Sequence, residues 1–233
     1  SIKKSPAYDE EEGTFAEIKE AIVRLGGIVA EDELLSHFAK DTLTQNHINF
    51  FLVLHDHFVK HKEDEHFKHR WAVDKDVSFQ VHDSLKKLYE SMDDDELVSE
   101  EDIINDFLGH LKDVADQYKN EEILKRWLSI SKTIGRNPLG EWGKSNSSSV
   151  KTRGIKDYAF LILRRNKSPM HFKDVALEIK KTFGKDAHIA TTHNELIKDP
   201  RFVLVGRGLD ALADWGFVQG VVRDVIKEIL KKE

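Results

Sequence analysis

Seven of the twelve histidines lie between residues 15 and 76, five of them as His55, His57, His61, His66 and His69. Two residues apart in an extended segment, His55 and His57 share a face, and a facing strand can bring His66 or His69 opposite, an arrangement from which imidazoles ligate metals. A solvated hairpin with pH-sensitive charge uses the same residues, and that plainer reading is preferred, so no metal and no cofactor is expected. The chain has no cysteine, which excludes disulfides, thiolate zinc sites and a cysteine nucleophile. The acidic run Asp93–Glu96 lacks the glycine and alternation of a calcium loop and reads as a solvated turn. There is no glycine-rich loop followed by lysine, no Gly-x-Ser-x-Gly elbow and no His-Glu-x-x-His, and nothing arranges the scattered Ser, His and Asp residues. The chain is therefore not expected to be an enzyme.

Charge points to a different chemistry. The net charge is −6, but residues 1–76 carry 10 Lys/Arg against 16 Asp/Glu, residues 77–150 carry 9 against 15, and residues 151–233 carry 17 against 11. A surface that neutralises phosphates needs cations, so only the last third has the sign for nucleic acid. The acidic two thirds suit protein contacts, or simply solubility. At 233 residues, 39% apolar and 33% charged, the chain fits several small domains better than one large core. No apolar run approaches the roughly 18 residues of a membrane span, so no membrane partner is expected. It opens on Ser1 without a signal-peptide pattern and reads as a piece of a longer cytoplasmic or nuclear protein.

The elements that must position these residues are written three times. Ile28–Phe38, Leu97–Phe107 and Met170–Ile179 each start a helix after a turn, and Trp71, Trp142 and Trp215 follow at separations of 71 and 73 residues. Upstream of each start, apolar spacing predicts a first helix, over Phe15–Leu25, Val81–Met92 and Ile155–Arg165. Ser99 reads as an N-cap with Asp102 three residues on. Third helices are predicted over Thr42–Leu54, Asn120–Ser131 and Ala190–Lys198, the last stopped by Pro200. Each copy ends in a two-stranded hairpin that returns to its tryptophan, clearest at Phe202–Val205, Gly206-Arg207-Gly208 and Leu209–Trp215. Three helices and a hairpin describe a winged helix. The fold class expected is thus mainly α with small β-hairpins (α+β), as three tandem winged-helix domains at 15–76, 77–144 and 153–233. A tail covers 1–14 and a flexible Ser/Asn linker covers 145–152. Trp127 falls outside the register, and Val221, Val222, Val225, Ile226, Ile229 and Leu230 mark an amphipathic helix at the end of the chain.

In a winged helix the third helix enters the major groove and the hairpin tip reaches the backbone or minor groove. In the third copy that places Thr191, Thr192, His193, Asn194 and Lys198 toward base edges and phosphates. Arg207, between two glycines, projects one cation from a tip whose backbone can approach a duplex closely. Lys151, Arg153 and Lys156 before the first helix, and Arg164, Arg165 and Lys167 at its end, add phosphate contacts. The third helix of copy one, Ile48–Leu54, is too apolar to read a groove, so any surplus apolar surface there would meet protein. Copy two offers a modest cluster, Lys119, Lys125, Arg126, Lys132 and Arg136.

The third copy also resembles a known family. Ile155–Leu163, Pro169–Ala176, Asp199-Pro200-Arg201-Phe202, Gly206-Arg207-Gly208 and Trp215-Gly216 are similar to the HARE-type helix-turn-helix domain, over about 80 of the 233 residues. That family is a winged-helix module found in the delta subunit of bacterial RNA polymerase, in Asx-like chromatin proteins, beside restriction endonucleases and after sigma-factor-like segments. The resemblance implies DNA- or polymerase-linked, non-catalytic work in a cytoplasmic, nucleoid-associated bacterial protein. Copies one and two lack the Asp-Pro-Arg-Phe and Gly-Arg-Gly motifs. Together these readings expect a transcription-associated protein whose third module contacts DNA and whose first two contact protein such as RNA polymerase. The rival is a protein-interaction scaffold without DNA contact.

Overall fold

A computed structural model describes residues 6–38 and 41–217. The helical segment that opens the chain, α1 (Pro6–Arg24), is followed by β1 (Ile28–Ala30), α2 (Glu31–Phe38), α3 (Thr42–Leu54), β2 (Val59–His61) and β3 (Arg70–Ala72). The expected tail over 1–14 is thus helical from Pro6. Apolar spacing begins only at Phe15, but the acidic residues before it sit well at a helix N-terminus. Next come α4 (Lys75–Ser91), α5 (Glu100–His110), α6 (Glu121–Ile130), β4 (Ile134–Arg136) and β5 (Trp142–Lys144). The remainder is α7 (Ile155–Asn166), β6 (Met170–His171), α8 (Phe172–Phe183), α9 (Ile189–Lys198), β7 (Phe202–Gly206) and β8 (Leu209–Leu212). The fold is α+β with small antiparallel sheets. The amphipathic segment Val221–Leu230 lies outside the described residues.

The order helix, strand, helix, helix, strand, strand recurs three times, and so does the pairing. A short strand before the second helix lies against the returning strand of the hairpin: β1-β3-β2 in the first repeat and β6-β8-β7 in the third. In the second repeat this strand shrinks to one bridge, Val98 to Trp142, beside the β4–β5 pair. This third strand is not legible in the sequence, because one to three residues carry too little alternation to register.

The register corrects one landmark. Val29 pairs with Trp71 and Val98 with Trp142, each one residue before the N-cap of the following helix. The same position in the third repeat is Met170, and its partner is Asp210, not a tryptophan. Trp215 lies five residues further on, in a 3-10 turn beyond β8, half-buried where Trp71 and Trp142 are buried. The three indoles are therefore not equivalent, although the topology repeats.

The chain divides into two compact units. One comprises the chain up to Arg136 with Glu141–Asn146, and the other comprises Asn137–Gly140 with Ser147 onward. Residue 76 is not a break in packing: one buried cluster joins Ile28, Ala30, Phe67 and Ala72 of the first repeat to Val81, Phe107, Trp127 and Trp142 of the second. Trp127, which had no place in the sequence register, packs that joint. At Gly26 (φ +115°) an added Cβ would lie 2.8 Å from both the Trp127 indole nitrogen and Ile123. Only glycine fits there, for conformation and for space. Arg70 Nε donates to His82 Nε2 at 2.6 Å, and burial beside that guanidinium pushes the His82 imidazole down to about 3. A second cluster, Ile18, Ile22, Leu34, Ile48, Leu52, Phe58 and Trp71, fills the first repeat.

Cap chemistry follows the sequence closely. Ser99 caps α5, its hydroxyl accepting from Asp102 N at 3.1 Å, and Asn120 caps α6. The stretch 145–152, expected as a flexible linker, is folded on itself. Ser147 and Ser149 are buried, and Val150 N and Lys151 N donate to Ser147 O at 3.2 and 2.9 Å. Serine hydroxyls bond the nearby backbone readily, so a Ser-rich run makes turns as well as linkers.

Candidate nucleic-acid interface

The third repeat is built on a core of Ala159, Ile162, Leu163, Val175, Ile179, Leu196, Phe202 and Leu212. Its α7 starts where the Asp157 carboxylate accepts from Arg153 N and Gly154 N, and Asp157 Oδ1 also accepts from Arg201 at 2.9 Å. Arg201 forks onto Asp199 as well, at 3.0 and 2.7 Å, and lies over the Phe160 ring. The charge-assisted bonds hold the Asp199 carboxyl below its ordinary range and raise the Arg201 guanidinium. The Asp-Pro-Arg-Phe motif thus ties the end of α9 and the start of β7 to the N-terminus of α7, a structural use of Arg201.

The α9 helix buries Thr192 and Leu196 one turn apart and rests His193 on the Phe172 ring, centroids 4.3 Å apart. Its outward face consequently carries Ala190, Thr191, Asn194, Ile197 and Lys198, all exposed. One expectation on this helix fails. Thr192 is fully buried and its hydroxyl donates to His188 O, because its spacing from Leu196 turns it to the core. His193 is half-buried in a ring contact.

The hairpin tip is fixed rather than loose. Gly208 takes φ +72°, its carbonyl accepts from Phe172 N at 3.0 Å, and an added Cβ would lie 2.7 Å from His171 Nε2. That geometry leaves the Arg207 side chain exposed at the turn. Lys167 caps α7 in the left-handed region at φ 56° and is exposed. Lys151 and Arg153 are exposed and Arg164 is half-buried. Arg165 is engaged on Glu178 and Thr182, and Lys156 on Asp199. Lys151, Arg153, Arg164, Lys167, Lys198 and Arg207 form no ion pair among the described residues. These cations are not one cluster: Lys151 and Arg153 precede α7 and Arg164 and Lys167 end it, about 18 Å away along a 12-residue helix. No protein-family model, curated protein or solved structure matches the chain.

The same comparison within the chain removes the minor site expected in the second repeat. Lys119 pairs with Asp116, Lys125 with Glu100 and Glu121, Arg126 with Glu33 and Glu122, Lys132 with Glu63 and Arg136 with Glu100. With every cation of that cluster already facing carboxylates, little positive potential is left for phosphate. The first-repeat histidines disperse into ring contacts, His55 and His57 on Phe15 and His61 on His82. No group of three or more His, Asp or Glu is arranged to hold a metal among the described residues.

One feature escaped sequence reading. Asp210 is 1% exposed, and its Oδ2 has no hydrogen-bond partner. Burial pushes its carboxyl up to about 6, against the opposing pull of His193 and His171. The available signal was the register itself, since Asp210 stands in β8 where the other repeats place tryptophan.

Proposed function

We propose that the chain is a non-enzymatic, transcription-associated protein of three winged-helix repeats, the third of HARE type, in which the third repeat contacts duplex DNA and the first two contact protein such as RNA polymerase. The observation that carries this reading is the outward face of α9 with the hairpin tip: Thr191, Asn194, Lys198 and Arg207 are exposed, and neither cation is consumed by a carboxylate among the described residues. The recurring helix–strand–helix–helix–strand–strand order supports the winged-helix assignment. No helix among the described residues is long and apolar enough to cross a membrane. Arg207, Lys198 and Lys167 would bond phosphate oxygens, while Asn194 and Thr191 would reach base edges.

The rival, a scaffold docked only on protein, draws on Ile197, which is 61% exposed on the same face. Fluorescence anisotropy of a labelled duplex with the full chain at two salt concentrations separates them. DNA contact requires affinity that falls with salt, and a shallower salt slope in Lys198→Glu/Arg207→Glu. Salt-independent or absent binding would leave the scaffold.

A further inference from the structure

We infer that the outward face of α3 is a docking surface for a cationic amphipathic helix of another protein. The inference rests on the reading that the first two repeats contact protein, and it names where and with what chemistry.

The α3 helix sends Ile48 and Leu52 into the first-repeat core, and its opposite face carries exposed apolar side chains alongside Asn46 and His47. Leu43, Phe50, Val53 and Leu54 are 68%, 61%, 70% and 58% exposed. Their positions, i, i+7, i+10 and i+11, lie on one side of the helix. Between Thr42 and Leu54 there is no Asp, Glu, Lys or Arg, in a chain of which 33% is charged. The adjoining Phe50, Val53 and Leu54, with Leu43 two turns earlier across Asn46 and His47, set an exposed apolar patch in so charged a sequence, the kind of surface that meets a partner. In the order of the repeat α3 holds the place of α9, but it has no cation with which to meet a phosphate.

Charge around the patch selects the partner. Asp41 caps the helix and Asp56 follows it, both exposed. The α2 helix that packs on α3 adds the exposed Asp32, while its neighbours Glu31 and Glu33 are already held by Lys60 and Arg126. Lys60, 2.8 Å from Glu31, is thereby already bound. Residues 1–150 hold 19 Lys/Arg against 31 Asp/Glu. A second copy would bring two acidic rims together, and nucleic acid would be repelled. A helix with an apolar stripe flanked by lysine or arginine matches both the patch and its rim, in the helix-on-apolar-surface mode of recognition.

Two synthetic helical peptides test this on the full chain: one Leu ridge flanked by lysines, and the same ridge flanked by glutamates. The Lys peptide should bind at least tenfold more tightly than the Glu peptide. Phe50→Ser/Val53→Ser, verified as folded by circular dichroism, should lose at least tenfold of that affinity while keeping its affinity for duplex DNA. Equal binding of the two peptides, or unchanged binding by the double variant, overturns the inference. So does sedimentation showing a dimer that the double variant abolishes, since the occupant would then be a second copy. Loss of DNA binding in the unmodified chain would strike the proposed function instead, and the peptide measurements read independently of it.

Discussion

Replacing Asp210 by asparagine should remove a pH dependence from the second unit. The carboxyl is 1% exposed, and burial raises it from 3.8 to about 6. Because the folded state holds the proton more tightly than the unfolded chain, the contribution is fully present below pH 3.8 and is lost as pH rises through about 6. Two units of displacement correspond to about 3 kcal/mol across the whole window, of which about 1.4 kcal/mol falls between pH 5 and 7.5. The titratable groups facing it are His171 before α8 and His193 on α9, and both persist in Asp210→Asn, so the difference between the proteins reports the carboxyl. Amide exchange of peptides spanning β7 and β8, corrected for intrinsic rates, should show protection falling about tenfold more in the native chain than in the variant over that interval. A carboxyl carbon titration should place one aspartate near 6 and lose that resonance in Asp210→Asn. An aspartate titrating near 4, or equal pH slopes in the two proteins, would refute the reasoning.

Gly26→Ala should destabilise the first unit by about 2–4 kcal/mol, read by denaturant unfolding, since it adds both a clash with Trp127 and an unfavourable backbone angle. Ser99→Ala should cost about 1 kcal/mol by removing the cap of α5. The first unit should respond to acid with the opposite sign to Asp210. His82 is lowered from 6.5 to about 3, so its contribution is present above pH 6.5 and fades as pH falls toward 3, a slope that His82→Gln should flatten in acid unfolding curves.

The first and third helices and the Ser99 cap were legible in the sequence from apolar spacing and cap chemistry, but α1 and α4 begin at Pro6 and Lys75, ahead of the apolar pattern read from Phe15 and Val81. The span Thr42–Leu54 emerges with both ends as read. The strands opposite each hairpin were not legible, since pairing between Val98 and Trp142, or between Met170 and Asp210, is a long-range property with no local alternation. Equating Trp215 with Trp71 and Trp142 relied on spacing alone, and the third hairpin is shorter, so the landmark shifted by five residues. Among the candidate interface residues, exposure of Arg207 and Lys198 follows from their place at a turn and a helix end. The burial of Thr192 and the capture of Arg165 by Glu178 depend on which face of the helix meets its neighbours, which residue type does not disclose.

The most direct test is chemical-shift mapping of the full chain with a short duplex at low salt. DNA contact by the third repeat requires perturbations at Thr191, Asn194, Lys198 and Arg207 with the resonances of α3 unmoved. Perturbations centred on the first unit, or none at any residue while the duplex is in excess, would contradict it.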